Sequence, residues 1–392
     1  MFDFLPFDAD NHYYEGHDAF TRHVDPKMAE RCVQWCDIGG RKHHVVGGVL
    51  AHAVKNPTWD PIAKPGALHD FFRGNPDGRS PLEMLSEREP LPAEYINRDA
   101  RVAKLEEQGL SAVWLFPTLG VLYEELLHKD IGAVSTLFTA FNTWLEEDWG
   151  CNYQDKIFAA PYMALGDVDH AVSELQTALD RGARVVCMRP APVFTASGYK
   201  SPGDAMFDPF WSLANEAGVT VVVHASDSGY STQGYAEDGF GSDIGARTVW
   251  KPTIKGFNIE RAAFDWLITM SFERMYERFP NLRIASVENG SDFLGQLFRK
   301  LDQTARKYPG YFKVDPVESY REHVWMNPFW EDDVVEIVEL MGADRVIFGS
   351  DWPHIEGMPQ PLDYLVELKG FEPEDQRRIL LDNVTELNTI RS

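Results

Sequence analysis

Five side chains with metal-ligating chemistry are spread over the whole chain, and each stands at the end of an apolar, strand-like run. Asp10 and His12 follow Phe4-Leu5-Pro6-Phe7, and His224 ends Val219-Thr220-Val221-Val222-Val223. Glu288 ends the run from Leu282 to Val287, and Asp351 follows Arg345-Val346-Ile347-Phe348-Gly349-Ser350. Side chains so far apart in sequence converge on one ion only if the strands that carry them run parallel around a common axis and finish at one face. A (β/α)8 barrel, an α/β fold of the TIM type, has that geometry, and its chemistry is done at the C-terminal face.

The rest of the chain supports this reading. Strand-like and helical segments alternate, as in parallel βα units. Strands are expected near 4–10, 111–117, 157–165, 183–189, 218–224, 282–288, 322–327 and 345–350. Amphipathic helices are expected over 92–108, 131–149, 167–181, 204–217, 259–278, 290–307, 331–341 and 373–382, with Asp167 and Ser291-Asp292 as start signals. Residues 1–392 are read as one barrel domain with long insertions after strands 1 and 5. The first, 24–90, holds Gly39-Gly40, Gly47-Gly48 and many prolines, and is expected to cover the barrel mouth. The second, 225–257, is rich in glycine and serine. Such excursions serve as lids or binding surfaces, or as arms that contact another subunit.

Charge removes several classes of partner. With 37 Lys and Arg against 61 Asp and Glu, the formal charge of −24 repels phosphate backbones and anionic lipid. Neither nucleic acid nor membrane is expected as a partner, which leaves a small-molecule substrate. Met1-Phe2-Asp3-Phe4-Leu5 lacks the basic and apolar regions of a signal peptide, so the expected location is the cytoplasm. Four cysteines make no disulfide framework, and Cys32 and Cys36 with His43 and His44 fit structural zinc spacings poorly, so free thiols are expected. The aromatic content, 11 Trp, 24 Phe and 14 Tyr, suffices for a large core and for a subunit interface, so a homo-oligomer is expected.

In a strand, residues two apart face the same side, so Asp10 and His12 can grip one ion, with Asp8 one step deeper and Glu15 in the following loop. His224 closes a valine run that reads as a fully buried parallel strand. Its ordinary alternative is a core histidine bonded to backbone, but the strand-end position before Ala225-Ser226-Asp227 favours a ligand. For Asp351, bracketed by Gly349 and Pro353, the alternative is a turn acid; the favoured role is metal ligand, general base, or both. Glu288, at a strand end before a glycine, is read as a ligand or catalytic acid rather than a loop acid. Arg189 ends Val185-Val186-Cys187-Met188 at the barrel mouth, where it would either clamp a substrate carboxylate or pair with a neighbouring acid.

Together, the Asp8-x-Asp10-x-His12-x-x-Glu15 start, the isolated His224, the Asn327-Pro328-Phe329 segment and Gly349-Ser350-Asp351-Trp352-Pro353-His354 resemble the amidohydrolase-related group of the amidohydrolase superfamily. That group includes the aminocarboxymuconate-semialdehyde and dihydroxybenzoate decarboxylases. The resemblance runs from residue 8 to Asp382-Asn383-Val384-Thr385-Glu386-Leu387. It implies that Asp10, His12, His224 and Asp351 bind a divalent metal, and it adds His354 and Asn327 to Arg189 as candidate substrate-binding residues. The chain departs from the pattern where many relatives carry a histidine and it carries Asp10. It departs again at the end of strand six, where the decarboxylases place a catalytic histidine and this chain has Glu288. The superfamily's bridging lysine on strand four has no counterpart.

Two imidazoles and up to three carboxylates suit zinc, manganese or iron, as one or two ions per chain. One ion would acidify water or polarise a substrate oxygen while Asp351 handles the proton, giving hydrolysis, hydration or decarboxylation. A second ion on Glu288 beside His224 would give instead the carboxylate-rich centre of a dinuclear iron or iron–manganese oxygenase. A third reading is a silent barrel supporting an active paralogue in a hetero-oligomer, against which the full ligand set argues.

Overall fold

Seven parallel strands and one extended segment close a ring. The strands are β1 (Phe7–Tyr13), β2 (Ala112–Pro117), β3 (Ile157–Ala159), β4 (Val185–Met188), β5 (Thr220–His224), β6 (Arg283–Val287) and β7 (Val324–Met326). This is a computed structural model, and it describes residues 3–51, 54, 56–230, 233, 254 and 258–390. One arc pairs β1, β2 and β3, and the other pairs β4, β5, β6 and β7, all in parallel. The arcs meet where Tyr162 bridges Cys187 and where the chain from Val346 to Trp352 runs between β7 and β1. There Ile347 N donates to Met326 O at 2.9 Å and Ala9 N to Phe348 O at 2.8 Å. The expected eighth strand is thus an extended closing segment without a regular ladder, preceded by a 3-10 turn over Ala343–Arg345.

β2, β4 and β5 are buried along their whole length, as strands covered on both faces must be, so they read as continuous apolar runs rather than alternating ones. β1 begins at Phe7, three residues later than expected, and runs on to Tyr13, which puts His12 as well as Asp10 inside the strand.

The connecting helices are α1 (Arg98–Gln108), α2 (Ile131–Asp148), α3 (Val168–Asp180), α4 (Asp208–Ala217), α5 (Asn258–Phe272), α6 (Leu294–Lys307) and α7 (Val334–Met341), followed by a helical segment over 373–387 whose middle, Arg378–Asp382, is wound as a π-helix. Local chemistry sets their ends. The Asn97 side chain accepts from Ala100 N to start α1, and Gly109, at φ +73°, ends it in the left-handed conformation that glycine adopts freely. Asp167 caps α3 through His170 N. The start expected at Ser291-Asp292 is not used, because the Ser291 hydroxyl donates to Asp332 instead and α6 begins at Leu294.

The insertion between β1 and α1 builds its own small sheets, one over 33–38, 41–46 and 49–50 and one pairing 62–63 with 88–89. Part of it lies across the loop after the closing segment: Gly66 N donates to His354 O at 2.9 Å and Leu68 N to Ile355 O at 2.8 Å. Ala63, Leu68, Met84 and Leu85 form a satellite core against Ile355. The first sheet docks on the helix Gly120–Leu127 through His44 and Tyr123, Nδ1 to OH 2.6 Å. Most of the second excursion, 225–257, lies outside the described residues. All four cysteines are free. No helix among the described residues is long and apolar enough to cross a membrane.

Candidate active site

The five ligand candidates meet at the C-terminal end of the ring. His12 Nε2 lies 3.3 Å from Asp10 Oδ1, 3.3 Å from Glu288 Oε2 and 3.4 Å from Asp351 Oδ1. His224 Nε2 lies 3.3 Å from Glu288 Oε2 and 3.7 Å from Asp10 Oδ1. Yet Asp10 Oδ1, His12 Nε2 and His224 Nε2 are buried without a hydrogen-bond partner. Atoms bonded to one ion at about 2 Å stand roughly 3–4 Å apart with their lone pairs converging, so this donor set fits a divalent cation. The tautomer of His224 agrees: its Nδ1 is 2.9 Å from Ala225 O, which only accepts, so the hydrogen sits on Nδ1 and the Nε2 lone pair faces Asp10 and Glu288.

Glu288 and Asp351 reach the centre through an uncommon backbone. Their φ angles are +57° and +55°, in the left-handed region that side-chain-bearing residues seldom adopt. Such positions persist where the surroundings enforce them, and they cluster at functional sites.

The electrostatics of these residues point the same way. Burial acts to lower the His12 imidazole, but Asp10 and Glu288 beside it hold it up at about 10. Burial lifts the Asp10 carboxyl, yet His12 and His224 keep it below its ordinary value. Asp351 is pushed well above the carboxylate range by burial and by the charges of Glu288, Glu356 and Asp10. The carboxylates outnumber the two imidazoles available to neutralise them, and buried charge of that kind calls for a positive partner.

An outer layer fixes the candidate ligands. Asp8 accepts from Ser350 N at 3.0 Å, Ser350 Oγ at 2.6 Å and Asn11 Nδ2 at 2.9 Å, stitching β1 to the segment that carries Asp351. Arg101, fully buried in α1, donates to His12 O at 2.7 Å and to Asn11 Oδ1, and lies over the Trp352 ring. Nothing in the motif reading pointed to Arg101. The available signal was its place on the buried stripe of α1 with Leu105 and Gln108. Asn289 Nδ2 donates to Val223 O at 2.8 Å, holding the ends of β5 and β6 together. Glu15 accepts from Leu119 N at 2.7 Å and Gly120 N at 2.9 Å, and so caps the helix 120–127. Burial pushes its carboxyl up to about 7.

The three candidate substrate-binding residues have partners of their own. His354 Nδ1 is 2.6 Å from Asp351 Oδ1, and its Nε2 is 2.9 Å from Thr118 Oγ1, so it stands directly behind the metal-site aspartate. Asn327 accepts from Glu288 N at 3.3 Å and directs its amide at the backbone oxygens of Pro328 and Ile347. Arg189 is buried between two glutamates: Nε is 3.1 Å from Glu124 Oε2, and Nη1 meets Glu125 Oε2 and, at 3.0 Å, Asp227 O. The guanidinium fork that would clamp a substrate carboxylate is therefore occupied by protein acids, the ion-pair alternative of the sequence analysis.

A sequence model of the amidohydrolase family matches residues 116–387. The chain belongs to the amidohydrolase family. Among solved structures, that of an amidohydrolase from Mycobacterium avium subsp. paratuberculosis K-10 is 41% identical, with a TM-score of 0.94 over 100% of this chain and 99% of that one. A 5-carboxyvanillate decarboxylase from Novosphingobium aromaticivorans DSM 12444, solved with bound manganese, is 14% identical with a TM-score of 0.62, covering 98% of this chain and 97% of its own. At that identity the likeness establishes the shared barrel fold. The curated 2-amino-3-carboxymuconate-6-semialdehyde decarboxylase of Dictyostelium discoideum is 25% identical over 144 residues, 35% of this chain and 39% of that protein. The matched region thus spans well under half of that relative.

Proposed function

We propose that this amidohydrolase family member is a metal-dependent hydrolase or carboxy-lyase acting on a small, carboxylate-bearing substrate. The observation that carries the reading is the convergence of Asp10, His12, His224, Glu288 and Asp351 at the barrel mouth, with Asp10 Oδ1, His12 Nε2 and His224 Nε2 buried there without a hydrogen-bond partner. These residues would hold a divalent ion, zinc, manganese or iron, which when bound supplies Lewis acidity towards a water or a substrate oxygen. The rest of the chemistry falls to the chain. Asp351 Oδ1, facing the centre, exchanges the proton of the reacting group. His354, 2.6 Å behind it and braced by Thr118, orients that carboxylate and accepts its second contact. Glu288, where the decarboxylases place a histidine, serves as ligand and as a second acid or base. The insertion hydrogen-bonded to His354 O and Ile355 O shelters the site from bulk water. The decarboxylase relatives, one solved with manganese, support the carboxy-lyase arm and that metal. The charge of −24 supports a small-molecule substrate over nucleic acid or anionic membrane.

The test is to strip the protein with a chelator, reload it with manganese, and assay carboxylic acids and amides for released carbon dioxide or hydrolysis products. Turnover restored by the metal is expected. A protein that binds no divalent ion refutes the reading.

One observation favours a second reading, an oxygenase with two ions. The ligating groups fall into two overlapping sets, Asp10, His12, His224 and Glu288, and His12, Glu288, Asp351 and His354. His12 and Glu288 are common to both; the single Nε2 lone pair of His12 would serve one ion, whereas Glu288 would have an oxygen for each. Two ions per chain by elemental analysis, with oxygen consumed in turnover, would establish it; one ion would exclude it.

A further inference from the structure

His224 serves as a ligand only while its Nε2 lone pair is aimed at the centre, and the contact that fixes this is the bond from Nδ1 to Ala225 O, 2.9 Å. The Ala225 carbonyl is not part of the barrel ladder. It belongs to the turn 225–229 that leaves β5, so the ring is only as well placed as that turn.

Three contacts tie the turn to its surroundings among the described residues. Ala225 N donates to Val287 O at 3.2 Å. Arg189 Nη1 donates to Asp227 O at 3.0 Å. Gly229, at φ +84°, lies so close to Glu125 that a Cβ there would stand 3.0 Å from Oε1. Arg189 is itself immobilised. It is 5% exposed, with Nε on Glu124 and Nη1 on Glu125. Glu124 also accepts from Tyr162 OH at 2.7 Å, and the helix that carries both glutamates is capped by Glu15, three residues beyond His12. A guanidinium with two carboxylates and a carbonyl in a fixed fork is a brace, and a substrate carboxylate would have to displace one of these partners.

We propose that Arg189 is a positioning residue for the metal site: clamped by Glu124 and Glu125, it fixes the turn 225–229 and, through Ala225 O, the ring of His224. This rests on the reading of His224 as a metal ligand.

The test uses the metal alone. Manganese is titrated into the metal-stripped protein, in competition with a chelator, for wild type, Arg189→Lys, Glu125→Gln and Gly229→Ala. Lysine keeps the charge but loses the planar fork, so the contacts that Nε and Nη1 make separately to the two glutamates and Asp227 O would have to converge on one nitrogen. Gly229→Ala leaves Arg189 whole and presses the turn away from Glu125, so it checks the turn independently should the arginine variant fail to fold. Each folded variant, measured well below its melting temperature, is expected to bind manganese on the order of 10- to 100-fold more weakly, the usual effect of losing a contact that orients a ligand. A lowered melting temperature with unchanged manganese affinity would make Arg189 a merely structural ion pair and overturn the proposal. So would unchanged affinity at unchanged stability. If wild type binds no manganese, the metal-site reading fails first and carries this inference with it.

Discussion

Replacing Gly349 with alanine should damage the metal site more than any other change of one methyl group on the closing segment. A Cβ built at Gly349 stands 2.4 Å from Asp10 Cβ, and 2.7 Å from Asn327 Nδ2. Carbon atoms in contact prefer about 3.5–4.0 Å, so Asp10 or the closing segment must retreat by more than roughly 1 Å. Both neighbours matter: Asp10 is a ligand candidate, and Asn327 holds the backbone N–H of Glu288. Metal–ligand distances tolerate only about 0.2 Å, so manganese affinity should fall on the order of 100-fold, the upper end for an indirect change. Overpacking of this kind costs about 3 kcal/mol. With an unfolding entropy of roughly 2.1 cal/mol/K per residue over 392 residues, that lowers the melting temperature by about 4 °C. Chelator competition and scanning calorimetry read both quantities. A variant that keeps manganese affinity within about threefold of wild type and melts at the same temperature would refute the argument, because it would mean Asp10 is not held where the closing segment places it.

Removing a ligand outright should act on metal content first. His12→Ala or His224→Ala should leave less than roughly a tenth of the wild-type manganese after gel filtration, since each deletes one of few donors; full occupancy in either would remove that residue from the site. Glu288→Gln keeps the shape and loses the charge. Elemental analysis should find one ion retained, more weakly, if the centre holds one, and one of two lost if Glu288 bridges a pair. Outside the site, burial pushes the His44 imidazole down to about 4, against about 6.5 in an unfolded chain. A folded pKa below the unfolded one means that this contribution is complete above pH 6.5 and is lost as pH falls from 6.5 to 4, by about 3 kcal/mol in all. His44→Gln should therefore flatten the acid loss of the urea midpoint over that window. Parallel curves for variant and wild type would show that His44 does not titrate there.

What the sequence made legible follows the physics of burial. β4 and β5 are continuous apolar runs because helices cover the outside of the ring and strand side chains fill its inside, and a run such as Val221-Val222-Val223 has few other uses. β1 was misplaced by three residues because Leu5, apolar in sequence, is 55% exposed, so the run before Phe7 is not yet inside the ring. The closing segment was expected as a strand and makes only scattered bridges, since Asp8 and Ser350 side chains do part of the pairing that a ladder would otherwise do.

The ligand candidates were legible because a strand end fixes both where a side chain is and which way it faces. Loops and helix faces fix neither. Glu288 and Asp351 approach the centre through left-handed backbone that no pattern of residue types announces. Arg189 is the clearest case. At a barrel mouth, an arginine has the same local sequence whether its fork meets a substrate or two protein acids. The deciding partners, Glu124 and Glu125, sit on the short helix 120–127, which lies between two expected elements and was not itself expected. Its orientation is set by a carboxylate from another strand, Glu15, accepting from the first N–H groups of the helix. The role of one residue in β4's exit thus depends on a cap supplied from β1, a relation between parts of the chain more than a hundred residues apart. That is why the acid-rich cluster of candidate ligands could be read from strand ends alone, while the contacts of Arg189 behind His224 required the fold.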